Sequence, residues 1–204
     1  KVYGGDGNDT IISPAFALVD AGSGDDTVTF SGGLGSYISL LSGGDGYDIL
    51  SYSWFGNSGS TIDWQIVSGF EELRLGGDAG SVTFTDNVGQ AGTTLKVSSA
   101  TSGYGTTFDF SSESDAYLDI TGVDTYSPND TLIGGALADT IRGQGGDDVI
   151  QGNAGNDTLE LGSGDDIVTG GAGDDTIDGG AGTDIAIYSG NQSDYTVTAT
   201  TLGL

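Results

Sequence analysis

Residues 134 to 187 divide without remainder into six consecutive segments of nine: GGALADTIR, GQGGDDVIQ, GNAGNDTLE, LGSGDDIVT, GGAGDDTID and GGAGTDIAI. They share the pattern GGxGxDxUx, in which U is apolar. A short fixed period constrains the fold more than any other feature of the chain. Each unit repeats one piece of local structure, and none can bury its single apolar residue without a neighbour stacked against it. The preceding TYSPNDTLI (125–133) keeps only the NDTLI half of the pattern, which also returns near the N-terminus as GGDGNDTII (4–12), AGSGDDTVT (21–29) and GGDGYDILS (43–51).

The two halves of the unit have different physical tasks. GGxGxD has nothing apolar to bury and several glycines able to take positive φ, so it predicts a turn. The xUx half places one aliphatic side chain between two outward neighbours, which suits a very short strand. Two units then make one full coil, strand, turn, strand, turn, and coils stacked about 4.8 Å apart complete each other's backbone hydrogen bonds. The expected fold is all-β, a parallel β-roll or β-helix solenoid with an irregular middle section.

One inward residue per strand leaves a thin core. Leu, Ile, Val and Phe together make up about 23 % of the chain, just above the roughly 20 % at which highly charged sequences stay disordered. Something besides hydrophobic burial must hold such a roll together. The sixth-position aspartates supply the clue, since alternate units place them on the same edge: Asp130, Asp148, Asp166 and Asp184 along one, Asp139, Asp157 and Asp175 along the other.

Carboxylates one coil apart repel unless a cation lies between them. Several Ca²⁺ ions fit, because Ca²⁺ takes carboxylate and carbonyl oxygens in flexible geometry, whereas Mg²⁺ demands a tighter octahedron. The turn glycines Gly146, Gly152, Gly155, Gly162, Gly164, Gly170, Gly171, Gly173, Gly179, Gly180 and Gly182 offer carbonyls with no side chain in the way. Asp148 with Asp166, Asp166 with Asp184, and Asp157 with Asp175 are flanked by nearly intact turns. Leu137 and Pro128 replace the fourth-position glycine and weaken the Asp139/Asp157 and Asp130/Asp148 positions. Asp9, Asp26 and Asp48 follow one another at close to one coil each and predict up to two further sites on one edge of an N-terminal roll. The fifth-position acids Asp25, Asp147, Asp165 and Asp174 are expected to point into water, as alternate side chains of an extended chain do.

These nonapeptides resemble the RTX (hemolysin-type) family of calcium-binding repeats. The resemblance runs without a gap from 134 to 187 and extends to the outlying units at 4–12, 21–29, 43–51 and 125–133. It implies a right-handed parallel β-roll that binds Ca²⁺ in its turns, as part of a bacterial protein exported by type I secretion.

Composition removes most alternatives. With 30 acidic and 4 basic residues the formal charge is −26, so nucleic acid and anionic membrane are excluded as partners. Seven calcium ions would leave about −12. His, Cys and Met are absent, which excludes disulfides, imidazole or thiolate metal sites and histidine-activated nucleophiles. Asp outnumbers Glu by 26 to 4, which favours short-armed oxygen ligation in turns over an acidic helical surface. No apolar run approaches the roughly 20 residues of a membrane-spanning helix.

The chain reads as four stretches: a one-sided N-terminal roll (1–51), an irregular β-helix or small β-sandwich (52–124), the C-terminal roll (125–187) and the start of a post-array strand segment (188–204). Strands are expected at Ile62–Val67, Leu73–Leu75, Val82–Phe84, Leu95–Val97, Phe108–Phe110 and Leu118–Ile120. The spacing from Leu73 to Leu95 and from Leu95 to Leu118 predicts coils longer than those of the repeat array. SGFEELRL (68–75) resembles a segment that interrupts RTX arrays, and DYTVT (194–198) a strand that follows them. Tyr52, Trp54, Phe55 and Trp64 suit a cap on the core or a platform for a sugar ring. Outward charges at Asp63, Arg74, Lys96, Asp109 and Asp119 form either a ladder of surface pairs or an acid–base site. Both ends look cut from a longer protein.

The function expected is a non-catalytic, calcium-binding module that folds outside the cell after type I secretion and gives structure to a larger exoprotein. Two alternatives are a tile of an S-layer or surface adhesin, assembling with copies of itself or with cell-surface polysaccharide, and the accessory roll of a secreted lipase, protease or polysaccharide epimerase. All three place the chain outside the cell or at its surface.

Overall fold

The computed structural model describes residues 1–13, 18–31, 40–54, 67–77, 81–84, 88–99, 105–124 and 128–189. Residues 62–66, Phe55, Trp64 and the DYTVT segment lie outside the described residues, as does the side chain of Trp54. The described residues contain nineteen strands and no helix, hence no helix long and apolar enough to cross a membrane.

The strands form three parallel sheets. The longest sheet contains β2 (Thr10–Ser13), β4 (Thr27–Ser31), β6 (Ile49–Trp54), β8 (Glu72–Gly77), β10 (Thr94–Ser99), β12 (Tyr117–Thr121), β14 (Thr140–Arg142), β16 (Thr158–Glu160) and β18 (Thr176–Asp178), in that order. A second holds β1 (Val2–Asp6), β3 (Leu18–Ser23), β5 (Leu40–Asp45) and β7 (Val67–Ser68). The third holds β9 (Ser81–Thr83), β11 (Thr107–Asp109), β13 (Thr131–Ile133), β15 (Val149–Ala154), β17 (Ile167–Ala172) and β19 (Ile185–Ile187). Within each sheet a strand pairs with the next but one in sequence, as stacking of two-strand coils requires. The fold is a parallel β-solenoid.

Coil length follows the sequence spacing. In the C-terminal array one coil is two nonapeptides long: Val149 lies opposite Ile167 and Thr140 opposite Thr158. At the N-terminus Thr10 faces Thr27 and Thr27 faces Ile49, so the second of these coils is the longer. The middle strands β8, β10 and β12 join the long sheet through coils longer than those of the array, Leu95 lying opposite Leu118 and Leu73 opposite Val97. These coils are longer than the array's, as the spacing predicts, and the partner of Leu73 is Val97, two positions beyond Leu95. A shift of two keeps Leu73 on the inner face, where a shift of one would turn it outward.

Core content changes along the axis. From β13 to β17 the strands contribute one buried apolar residue each, Leu132, Ile141, Ile150, Leu159 and Val168, whereas Ile177 of β18 is half-buried and β19 is exposed. In the middle coils Phe84 stacks on Phe110 with ring centroids 3.8 Å apart and meets Phe108 edge-on at 6.3 Å, beside the buried pairs Leu95 and Val97, and Leu118 and Ile120.

Candidate metal centre

The turns that enter the long sheet lie along one edge of the solenoid. Strand register aligns the residue preceding each strand interior into a column: Asp9, Asp26, Asp48, Glu71, Leu95, Leu118, Asp139, Asp157 and Asp175. On the other edge, at the six-stranded sheet, the column runs Thr106, Asp130, Asp148, Asp166 and Asp184. The structure thus brings every aspartate expected at a metal position into one of two columns, and the acidic run on the first edge is broken by two leucines.

Within a column the carboxylates are threaded by backbone hydrogen bonds. The Asp148 N–H donates to Asp166 Oδ1 at 2.7 Å, the Asp139 N–H to Asp157 Oδ1 at 2.8 Å and the Asp130 N–H to Asp148 Oδ1 at 2.7 Å. Asp157 and Asp166 donate in the same way to Asp175 and Asp184 at 3.1 Å. At the N-terminus the Asp9 N–H reaches Asp26 Oδ1 at 2.7 Å and the Asp26 N–H reaches Asp48 Oδ1 at 2.8 Å. Oδ1 is therefore occupied by the coil before.

The second oxygen has no donor. Oδ2 of Asp9, Asp26, Asp48, Asp148, Asp157 and Asp166 is buried with no hydrogen-bond partner, although Asp48 and Asp166 are 0 % exposed. A buried carboxylate oxygen left unpaired costs several kcal/mol, so six of them along two columns define what the turns lack. At Asp9, Asp48, Asp148 and Asp157 this oxygen borders the space left by the missing Cβ of the turn's first glycine, Gly4, Gly43, Gly143 and Gly152, whereas Ala21 and Leu161 hold that position at Asp26 and Asp166. A Cβ on Gly143 would meet Asp148 Oδ2 at 2.5 Å and run into the Leu161 carbonyl oxygen of the next coil. The same pairing of carboxylate and next-coil carbonyl recurs at Gly152 with Asp157 and Gly170, and at Gly134 with Asp139 and Gly152. Among the described residues no three acidic side chains converge on one point, so a cation there draws its remaining ligands from backbone carbonyls. An all-oxygen, partly carbonyl donor set suits Ca²⁺.

Electrostatics agree with the geometry. Burial pushes the Asp139 and Asp148 carboxyls up to about 7 and that of Asp157 up to about 6, against the opposing effect of the N–H groups they accept. Burial likewise raises Asp48, Asp130 and Asp166, and neighbouring carboxylates add to the rise at Asp48 and Asp166. Without a cation these carboxyls hold their protons more tightly than a free aspartate does.

Departures from the repeat have visible consequences. Asp130 Oδ2 accepts the Val123 N–H and Asp139 Oδ2 the Gly135 N–H, both at 2.7 Å. Where Pro128 and Leu137 break the glycine pattern, a backbone donor occupies the oxygen that is free elsewhere. The fifth-position acids are exposed, but they also form an outer ladder of opposite polarity: the Asp165 N–H donates to Asp147 Oδ1 at 2.9 Å and the Thr183 N–H to Asp165 Oδ1 at 2.8 Å. Asn8, Asn129 and Asn156 take the same part, because the ladder needs an acceptor and not a charge.

Two carboxylates in the site region were not singled out from the sequence. Glu71 accepts the Asp48 N–H at 2.7 Å. Glu113, 1 % exposed, accepts the Ala116 and Asp115 N–H groups at 3.2 and 3.3 Å. Neither lies in a nonapeptide, and glutamate is not the repeat's residue. The outward charges of the long sheet are taken up locally. Arg74 pairs with Glu72 at 2.6 Å, Arg142 bridges Asp119 and Glu160 at 2.5 and 3.2 Å, and Lys96 Nζ sits 5.6 Å from the Tyr47 ring centroid.

A parallel solenoid whose bends aim buried carboxylates and carbonyls at common points is, as a class, a structural cation-binding roll. The RTX calcium-binding nonapeptide repeat matches the chain four times, over residues 1–13, 129–159, 151–186 and 160–195. Those segments carry the RTX calcium-binding repeat. The turns at Asp26 and Asp48 fall outside those segments, yet they hold the same hydrogen bonds as the matched ones. No curated protein and no solved structure matches the chain.

Proposed function

We propose that this module folds on calcium, with Asp148, Asp157 and Asp166 as principal ligands in the array and Asp9, Asp26 and Asp48 at the N-terminal edge. One observation carries the reading: buried Oδ2 atoms without donors, which at Asp9, Asp48, Asp148 and Asp157 border the same Cβ-free space as a next-coil carbonyl. A divalent cation satisfies both oxygens and removes the repulsion between coils. Binding to the folded state alone stabilises it by about 2.7 kcal/mol per site at a hundredfold excess over Kd, so several sites convert a marginal fold into a stable one, and metal affinity becomes folding free energy.

The same linkage fits an exported protein. Where free Ca²⁺ is scarce, a chain of charge −26 with a thin core stays open, which suits passage through a secretion channel. At millimolar Ca²⁺ outside the cell it closes into the roll and gives structure to the larger exoprotein. The test is a calcium titration of the purified chain followed by far-UV circular dichroism and small-angle scattering. Compaction and β-signal should rise together with Ca²⁺ and reverse with chelator. A chelator that leaves both unchanged would overturn the reading.

A further inference from the structure

The acidic column at the N-terminal edge does not end with its last nonapeptide. Strand register puts Ser42 opposite Ser68 and Ile49 opposite Glu72, so Gly69 stands where a repeat has its first glycine and Glu71 where it has its aspartate. The whole stretch from Gly43 to Asp48 lies above only Gly69, Phe70 and Glu71. The short turn makes the connections of the long one. Glu71 Oε2 accepts the Asp48 N–H at 2.7 Å, and the Glu71 carbonyl accepts the Lys96 N–H at 2.8 Å, as the Asp26 carbonyl accepts the Ile49 N–H at 2.9 Å. Gly69 takes a positive φ of 69°, and Phe70, 1 % exposed, anchors the turn in the core.

Two oxygens are already directed at the space between these turns. A Cβ on Gly43 would meet Asp48 Oδ2 at 2.7 Å and run into the Gly69 carbonyl oxygen, the arrangement that Gly134 has with Asp139 and Gly152. Asp48 is 0 % exposed and its Oδ2 has no partner. We propose that Gly69–Phe70–Glu71 is a shortened metal turn, and that Glu71 and Asp48 with the Gly69 carbonyl hold a calcium ion outside the nonapeptide array. The extra methylene of glutamate supplies the reach that the missing residues would have given, and an anionic oxygen beside the Asp48 carboxylate is tolerated because a divalent cation lies between them.

This site rests on the calcium reading of the other turns, and its test separates the two. Glu71→Gln keeps an oxygen to accept the Asp48 N–H and removes the charge, so a residue that only caps the column is hardly disturbed. Native mass spectrometry and calorimetric titration of the full chain should show one ion fewer, or one site weakened by at least about tenfold, with the remaining ions in place. An unchanged ion count and unchanged affinities overturn the proposal. A crystal structure of the calcium-loaded wild-type chain is the second measurement, and it is independent of whether the variant folds. Anomalous density between Asp48 and Glu71 supports the site; no metal there while the turns at Asp148 and Asp157 are loaded overturns it. A wild-type chain that binds no calcium at all instead overturns the calcium reading itself.

Discussion

The C-terminal array and the middle coils share the long sheet but are held together differently. In the array, column positions are aspartates, of which Asp148, Asp157 and Asp166 have unpaired buried oxygens, and the strands from β13 to β17 each add one aliphatic side chain to the core. In the middle, the same column positions are Leu95 and Leu118, and three phenylalanines pack beside them. Where the bend carries apolar residues the coil is longer and closes on its own packing. Where it carries glycine and aspartate the coil shrinks to a pair of nonapeptides and depends on an ion. Bend chemistry and core thickness compensate one another, because a coil must draw its stability from one or the other.

Calcium removal should produce the largest difference between the two regions. With chelator, amide exchange at Ile150, Leu159 and Val168 should accelerate at least about a hundredfold, the loss of a single saturated site at a hundredfold excess, while amides of β10 and β12 lose less. Equal acceleration throughout would mean that the solenoid melts as one cooperative unit and that the aromatic coils have no stability of their own.

Next in size is the response to pH. The carboxyls of Asp139, Asp148 and Asp157 are raised above their unfolded values, so the metal-free fold binds more protons than the unfolded chain. Its stability from these groups is present in acid and is lost as pH rises through about 6 to 7. Calcium requires the deprotonated forms, so the loaded protein should follow the opposite slope. Chemical denaturation at pH 5 and pH 8, with calcium and with chelator, checks both signs.

Phe110→Ala should cost about 3–5 kcal/mol in the middle coils, with little change in the calcium midpoint of the array, since coils contact only their neighbours. Asp166→Ala should cost about 3 kcal/mol of calcium-dependent stability, and Asp165→Ala less than about 1 kcal/mol. The first oxygen pair faces the inter-coil space, whereas the second carries one exposed hydrogen bond to Thr183. Equal losses would put the register of the ladder in error. Smallest of all, Arg142→Ala removes two surface pairs and should cost at most about 1 kcal/mol, read from thermal melts of the calcium-loaded chain.

Periodicity made the array legible. A nine-residue repeat with one glycine-rich half and one apolar position fixes turn, strand, coil length and the alternation of edges before any coordinates exist. Legibility failed where the period did. The pairing of Leu73 with Val97, two positions beyond Leu95, depends on how much chain the middle bends consume. Glu71 and Glu113 gave no repeat signal, because neither lies in a nonapeptide and the column position of Glu71 is defined only by strands that the motif does not describe. The outer ladder through Asn8, Asp147 and Asp165 was hidden for another reason: alternation tells which side chains face water, not which of them reach a neighbour's N–H on the way.

By itself the amino-acid order determined that this chain stacks, how long the stacked unit is, and that acids recur at each bend, since all three are statements about spacing. Only the tertiary structure decided which oxygens are satisfied and which are not. Oδ1 accepts the N–H of the coil before it and Oδ2 finds no donor. That imbalance comes from two turns meeting at the sheet spacing, a relation between residues far apart in sequence that no single unit contains.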